Sequence, residues 1–178
     1  MRYIFLLSIL IQNNDPIVIF NFNSSSNIRN WQVVDDGVMG GVSKGNFILN
    51  DEGNGYFSGN VSLDNNGGFS SLRYTFSPIS IAGFEYVKLT IKGDGGKFNF
   101  RVKENARDYY SFAKEIDSSG DWEEVMIPLK ELAPVFRGQL LNMPRFQGEQ
   151  IEQLSILRAN KKHETFTLQI KKIELTNK

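Results

Sequence analysis

The chain has 178 residues, of which 40% are hydrophobic and 22% charged, and its 20 Lys and Arg balance its 20 Asp and Glu. This is the size and composition of one globular domain. The balanced charge excludes a global field that would hold nucleic acid or an anionic membrane. The absence of cysteine excludes disulfides, thiolate metal sites, iron–sulfur clusters and a cysteine nucleophile.

The first eleven residues, MRYIFLLSILI, place Arg2 before an apolar run. This order is typical of a secretory signal, although no small-x-small cleavage pattern follows and the run is shorter than the ~20 residues of a membrane-spanning helix. An apolar strand or appendage packed on the domain is the alternative. We therefore expect a short apolar segment over residues 1–16, one domain over residues 17–178 and no transmembrane segment. A signal sequence would direct the protein to the periplasm, and otherwise we expect it in the cytoplasm.

From residue 17 onward the sequence predicts strands. In residues 57–63, Phe57, Gly59, Val61 and Leu63 share one parity, which is the period of a half-buried strand. Similar alternation predicts strands over residues 86–92, 97–103, 122–127, 151–158 and 166–175. In the last of these the apolar parity reverses, which predicts a β-bulge near residues 171 and 172.

Glycine-rich segments over residues 65–68 (NNGG) and 93–96 (GDGG) separate alternating runs and predict hairpin loops. The second lacks the spacing of a nucleotide-binding loop. We expect about ten strands and at most one or two short helices, the clearest near residues 130–133. This pattern is typical of an all-β, single-domain antiparallel sandwich of the jelly-roll kind.

Residues 35–43, DDGVMGGVS, form the densest motif. The glycines permit positive φ and close backbone approach, and the carboxylates of Asp35 and Asp36 accept hydrogen bonds from loop amides or from a partner. We regard Asp35, Asp36 and Met39 as candidate binding residues. The alternative is a rigid loop that closes one end of the sandwich.

Two arginines are predicted on polar strand faces. In residues 69–76, Arg73 lies opposite Leu72 and Tyr74, and in residues 97–103, Arg101 lies opposite Phe98 and Phe100. Such arginines could line a surface that binds carboxylate, phosphate or hydroxyl groups. A solvated outer face with surface ion pairs is the alternative.

The sequence predicts no catalytic, metal-binding or cofactor-binding residue. The single histidine, His163, lies in a polar stretch that reads as a turn, and no nucleophile-elbow motif is present. A pair of carboxylates, such as Asp35 or Asp36 with Asp94 or Asp108, is the one hydrolase arrangement left open.

At this point a family resemblance becomes plain. Trp31 with DDGVMGGVS at residues 35–43, followed by GGFSSLR at residues 67–73, resembles the complex I intermediate-associated protein 30 family. The similarity continues through LTIKGDG at residues 89–95 and covers most of the chain from residue 20 to residue 175. The resemblance implies a galactose-binding-like jelly roll. It also implies a non-catalytic chaperone or assembly factor that binds protein partners, such as subunits or assembly intermediates of respiratory complex I.

Two features refine this expectation. The chain has no long Arg- and Ser-rich transit segment, which argues against mitochondrial import, and its short apolar start predicts a bacterial protein. A protein-docking role predicts an exposed apolar or aromatic patch within residues 134–146, with Phe136 and Arg137 as candidate binding residues and Met143 and Phe146 beside them. The alternative function is carbohydrate or small-ligand binding, for which exposed aromatic residues would serve: Trp31, Tyr109, Tyr110 and Trp122.

Overall fold

The computed structural model describes residues 14–177. The apolar segment predicted at the N-terminus therefore lies, for residues 1–13, outside the described residues. Within the described part, the chain forms thirteen strands and three short 3-10 helices.

The first seven strands are β1 (Ile17–Asn21), β2 (Trp31–Asp35), β3 (Lys44–Leu49), β4 (Gly55–Val61), β5 (Ser70–Ser80), β6 (Tyr86–Lys92) and β7 (Lys97–Lys103). The remaining six are β8 (Ser111–Asp117), β9 (Glu123–Pro128), β10 (Ala133–Phe136), β11 (Gln139–Leu140), β12 (Gln150–Arg158) and β13 (Glu164–Thr176). The 3-10 helices are Asp36–Met39, Asp64–Asn66 and Leu129–Glu131.

The strands form two antiparallel sheets. The seven-stranded sheet has the order β11-β10-β8-β7-β12-β5-β2. The six-stranded sheet has the order β3-β4-β13-β6-β9, and β1 also pairs with β13. Most consecutive strands lie in different sheets, so the chain crosses repeatedly between the two layers.

The core lies between the sheets and follows the period of two read from the sequence. Phe98, Phe100 and Val102 of β7 are buried, whereas the residues between them are partly exposed. In β13, Ile170 is paired with Ile91 and Lys172 with Thr90, so the register shifts at Lys171. This confirms the predicted bulge.

The two glycine-rich segments predicted as hairpin loops are instead crossovers between the sheets, so that prediction was wrong. Residues 65–68 join β4 to β5, and residues 93–96 join β6 to β7. Alternation shows which face of a strand is buried, but it does not show which strand is its neighbour. The segment at residues 93–96 pairs with the β8–β9 connection: the Gly93 N–H donates to the Ser119 carbonyl at 2.8 Å.

The expected short helix is present as the 3-10 helix Leu129–Glu131. None of the helices within residues 14–177 is long and apolar enough to cross a membrane. The architecture is the all-β jelly-roll sandwich that the strand pattern predicts.

Candidate functional site

Asp36 lies at the junction of the two most distinctive motifs. It is 1% exposed. Its Oδ1 accepts a hydrogen bond from the Ser43 N–H at 3.1 Å, and its Oδ2 accepts one from Ser43 Oγ at 2.5 Å. The N–H groups of Gly68 and Phe69 also donate to Oδ2, at 2.6 and 3.2 Å. One carboxylate therefore ties the loop after β2 to the segment that precedes β5.

These donors determine the charge state of Asp36. Burial raises the pKa of its carboxyl, but the hydrogen bonds from Ser43, Gly68 and Phe69 outweigh burial and lower the pKa below its usual 3.8. The surrounding glycines make this packing possible. A Cβ on Gly41 would overlap the Asp36 carboxylate, and a Cβ on Gly67 would lie 2.6 Å from Asp36 Oδ2.

Asp35 faces a different strand. Its Oδ2 accepts a hydrogen bond from the Gly45 N–H at 3.0 Å, at the start of β3. Met39 ends the 3-10 helix Asp36–Met39, and its side chain lies outside the described part of the structure. Among these three candidates, the contacts of Asp35 and Asp36 are with the chain's own backbone and Ser43.

Arg73 and Arg101 share the outward face of the seven-stranded sheet. Ser155 of β12 pairs with Arg73 of β5 on one side and with Arg101 of β7 on the other. The Arg101 Nε–H donates to Asn99 Oδ1 at 2.7 Å. The two predicted arginines are therefore brought together on one surface, and neither forms an ion pair with a described residue.

Phe136 and Arg137 lie at a hairpin formed by β10 and β11. Arg137 has φ +49° at the turn, and its guanidinium lies 5.2 Å above the Phe136 ring centre. Tyr109 packs edge-on against Phe136 at 5.3 Å and is 65% exposed. Leu140 of β11 is 72% exposed. We call Tyr109, Phe136, Arg137 and Leu140 the hairpin cluster.

Met143 and Phe146, which were also expected at this surface, differ in exposure. Met143 is exposed, but Phe146 is buried in the core against Phe112. Sequence reasoning overlooked Leu140. The signal available for it was an apolar pair, Leu140 and Leu141, directly after the turn that contains Gly138.

Sequence reasoning also missed Arg158, the last residue of β12. Its side chain is 4% exposed and forms ion pairs with Asp94 at 3.0 Å and with Glu164 at 2.7 Å. The guanidinium lies 4.8 Å from the Phe98 ring centre. Arg158 shares the parity of Leu154 and Ile156, and a charge at a core-facing position was the signal for a buried ion pair.

The candidate carboxylates of a hydrolase all have partners within the fold. Asp94 binds Arg158, and Asp108 Oδ2 accepts from the Asn105 N–H at 3.3 Å. His163 lines a shallow open cleft together with Lys44 and Asp64. Among the residues that the structure describes, no group of three His, Asp or Glu side chains is placed to hold a metal ion.

The aromatic candidates for a sugar site divide into buried and exposed residues. Trp31 is buried and stacks on Tyr74, with ring centres 4.5 Å apart and an interplanar angle of 12°. Tyr110 is partly buried against Phe112. Trp122 is 40% exposed in the connection before β9.

Comparison with known proteins supplies the context for these surfaces. A family model described as complex I intermediate-associated protein 30 matches residues 20–170. No curated protein sequence matches significantly.

Several solved structures share the fold. A family 11 carbohydrate-binding module of a Clostridium thermocellum cellulase has a TM-score of 0.64 and 14% identity, over 91% of this chain and 94% of the module. A family 29 carbohydrate-binding module has a TM-score of 0.54 and 11% identity, over 92% of both chains. An agarase has a TM-score of 0.63 and 11% identity, over 93% of this chain and 25% of the enzyme. At these identities the likeness establishes the fold alone.

Proposed function

The chain belongs to the complex I intermediate-associated protein 30 family, and on that premise we propose that it is a non-catalytic binding protein that assists the assembly of a protein complex such as respiratory complex I. The observation that carries this proposal is the hairpin cluster. At the β10–β11 edge of the seven-stranded sheet it combines an arginine packed on aromatic rings with the exposed Leu140, whose parity is that of Val135.

The composition of the hairpin cluster fits protein docking. Tyr and Arg are enriched among the residues that dominate binding energy, and exposed apolar residues gain most when a partner removes them from water. Leu140 and Tyr109 are among the most exposed large apolar side chains of the described chain. Because Phe136 packs against Tyr109 and lies under Arg137, these three side chains are held in place before any partner arrives.

A capture experiment tests this function. The tagged protein is cross-linked in its native cells, and its partners are identified by mass spectrometry. We expect respiratory-complex subunits to be captured, and we expect the double variant Y109S/L140S to lose them. Ile48→Ser is the matched control, because Ile48 is an exposed apolar residue of β3 in the other sheet. Equal capture by Y109S/L140S and wild type would refute docking through the hairpin cluster.

Carbohydrate binding is the second candidate. It is supported by the fold shared with carbohydrate-binding modules and by the exposed Trp122 ring, which offers an aromatic platform. A glycan array with wild type and Trp122→Ala tests it. Glycan binding that Trp122→Ala abolishes, with no protein captured from cells, would replace the assembly function by this one.

A further inference from the structure

The outward face of the seven-stranded sheet carries a continuous row of paired residues from six strands. In register across β2, β5, β12, β7, β8 and β10 they are Gln32, Arg73, Ser155, Arg101, Ala113 and Ala133. Neighbouring strands lie about 4.8 Å apart, so the Cα atoms of Arg73 and Arg101 are separated by roughly 10 Å. Ser155 between them and Ala113 beyond Arg101 are small, which leaves the long side chains room along the face.

Lys103 adds a third cation. It lies two residues after Arg101 on the same face of β7, and its Nζ donates to the Asp108 carbonyl at 2.5 Å. Gln153 of β12 pairs with it across the sheet. We call Arg73, Arg101 and Lys103 the cationic face.

The cations of this face lack the acidic partners that other buried cations of the chain have. Arg158 lies between Asp94 and Glu164, and Lys88 binds Glu174 at 2.9 Å. The Arg73 side chain, in contrast, has no hydrogen bond or ion pair with any residue in the range 14–177, and the Arg101 side chain bonds only the Asn99 amide oxygen.

The pKa of each of the three cations of the cationic face is lowered. Burial lowers the pKa of Arg73 and of Arg101, and the neighbouring Arg73 charge lowers the pKa of Arg101 further. Burial, followed by the Arg73 charge, also lowers the pKa of Lys103, although Asp108 acts in the opposite direction. Three half-buried cations that repel one another cost folding free energy, and an anion would relieve that cost.

The geometry selects the class of anion. A guanidinium offers paired N–H donors that match a carboxylate, and those of Arg73 remain unused within the described structure. The residues paired with Arg73, Arg101 and Lys103 across the sheet have no aromatic ring on which a sugar could stack. These features favour a peptide carboxylate over a saccharide.

An apolar position continues this face. Ser111 of β8 pairs with Val135 of β10, which pairs with Leu140 of β11. Ser111 lies on the same side of β8 as Ala113, the partner of Arg101. The face therefore runs from two arginines to the exposed Leu140 of the hairpin cluster.

We propose that the cationic face binds an acidic segment of a partner protein, with carboxylates at Arg73 and Arg101 and an apolar side chain of the segment beside Leu140. This inference rests on the proposed protein-binding function and specifies the chemistry of the partner.

The test measures the binding of a fluorescent hexaglutamate peptide by anisotropy at low ionic strength, with a hexaglutamine peptide and an oligogalacturonate as comparators. We expect hexaglutamate to bind wild type, and the double variant R73Q/R101Q to bind it at least about tenfold more weakly. Added salt should weaken binding to wild type. Lys44→Gln removes one positive charge from the other sheet and should bind as wild type does.

Three outcomes of the peptide assay would overturn the inference: no hexaglutamate binding to wild type, equal binding by wild type and R73Q/R101Q, or tighter binding of oligogalacturonate than of hexaglutamate. R73K/R101K serves as the second variant, since it keeps the charge and loses the guanidinium fork, and intermediate affinity supports the carboxylate geometry. The assay needs only purified protein. Partner capture that R73Q/R101Q leaves unchanged would refute this inference and leave the assembly function intact.

Discussion

Asp36 and Gly68 lie 32 residues apart in the sequence, yet the Gly68 N–H donates a 2.6 Å hydrogen bond to Asp36 Oδ2. The two segments they belong to both cross between the sheets, from β2 to β3 and from β4 to β5. A single buried carboxylate thus holds two crossovers together at one end of the sandwich, and the DGVMGGVS and GGFSSLR motifs form one structural unit.

Asp36→Ala should destabilise the protein by about 2–4 kcal/mol, because it removes the acceptor of four hydrogen bonds, three of them from buried or part-buried backbone N–H groups. Urea unfolding followed by circular dichroism measures this loss. Asp64→Ala is the control, since Asp64 is an exposed acid in the neighbouring crossover. Unchanged stability of Asp36→Ala together with lost partner binding would show that Asp36 contacts the partner.

The same carboxylate predicts a pH dependence. Folding lowers the pKa of Asp36. Its contribution to the free energy of unfolding is therefore fully present above the unfolded-state pKa of 3.8, and it is lost as pH falls through the lower folded-state pKa. The free energy of unfolding, measured by urea between about pH 6 and pH 2, should decrease with acid, and less steeply for Asp36→Asn than for wild type. If the free energy of unfolding fell equally steeply with acid in wild type and in Asp36→Asn, Asp36 would not be the cause of the pH dependence.

Gly41→Ala should be destabilising by about 1–3 kcal/mol, because the added methyl group would overlap the Asp36 carboxylate. Gly37→Ala is the matched control in the same loop, since a Cβ there would meet no atom within 4 Å. Thermal unfolding distinguishes them, and equal melting temperatures would show that the loop adjusts without cost.

Replacing the ion-paired Arg158 by glutamine should lower the free energy of unfolding, whereas replacing Arg73 and Arg101 should not. Arg158→Gln leaves Asp94 without its cation and Glu164 with only the exposed Lys162, and it should lower the free energy of unfolding by about 3–5 kcal/mol. Lys162→Gln at the exposed end of the same cluster should lower it by less than about 1 kcal/mol.

R73Q/R101Q removes two cations that repel one another, so its free energy of unfolding should equal or exceed that of wild type. Urea unfolding measures the free energy of unfolding of Arg158→Gln, Lys162→Gln and R73Q/R101Q beside that of wild type. A large loss in R73Q/R101Q would indicate that those arginines stabilise the fold.

The sequence was informative wherever local alternation decides the structure. The strands at residues 86–92 and 97–103 have the predicted bounds, and the parity change at Lys171 marks a real shift of register. These features follow from the period of two alone, because one face of each strand is buried.

Features that depend on distant partners were beyond sequence reasoning. A glycine-rich segment such as residues 93–96 looks alike in a hairpin and in a crossover, and only the pairing of β6 with β9 and β13 distinguishes them. Likewise, Arg73 and Arg101 were each predicted on a polar face. Their alignment on either side of Ser155 depends on β12, and Ser155 lies 54 residues after Arg101 in the chain.

The placement of β13 also bears on how the chain is made. This strand pairs with β1, β4 and β6, all of which leave the ribosome before it. During synthesis their apolar faces must wait for residues 164–176, and in the other sheet β5 and β7 must wait for β12, which is made just before β13, so both sheets close late. The protein that we propose to assist the assembly of a complex would therefore itself pass through an intermediate with exposed apolar strand faces before it is folded.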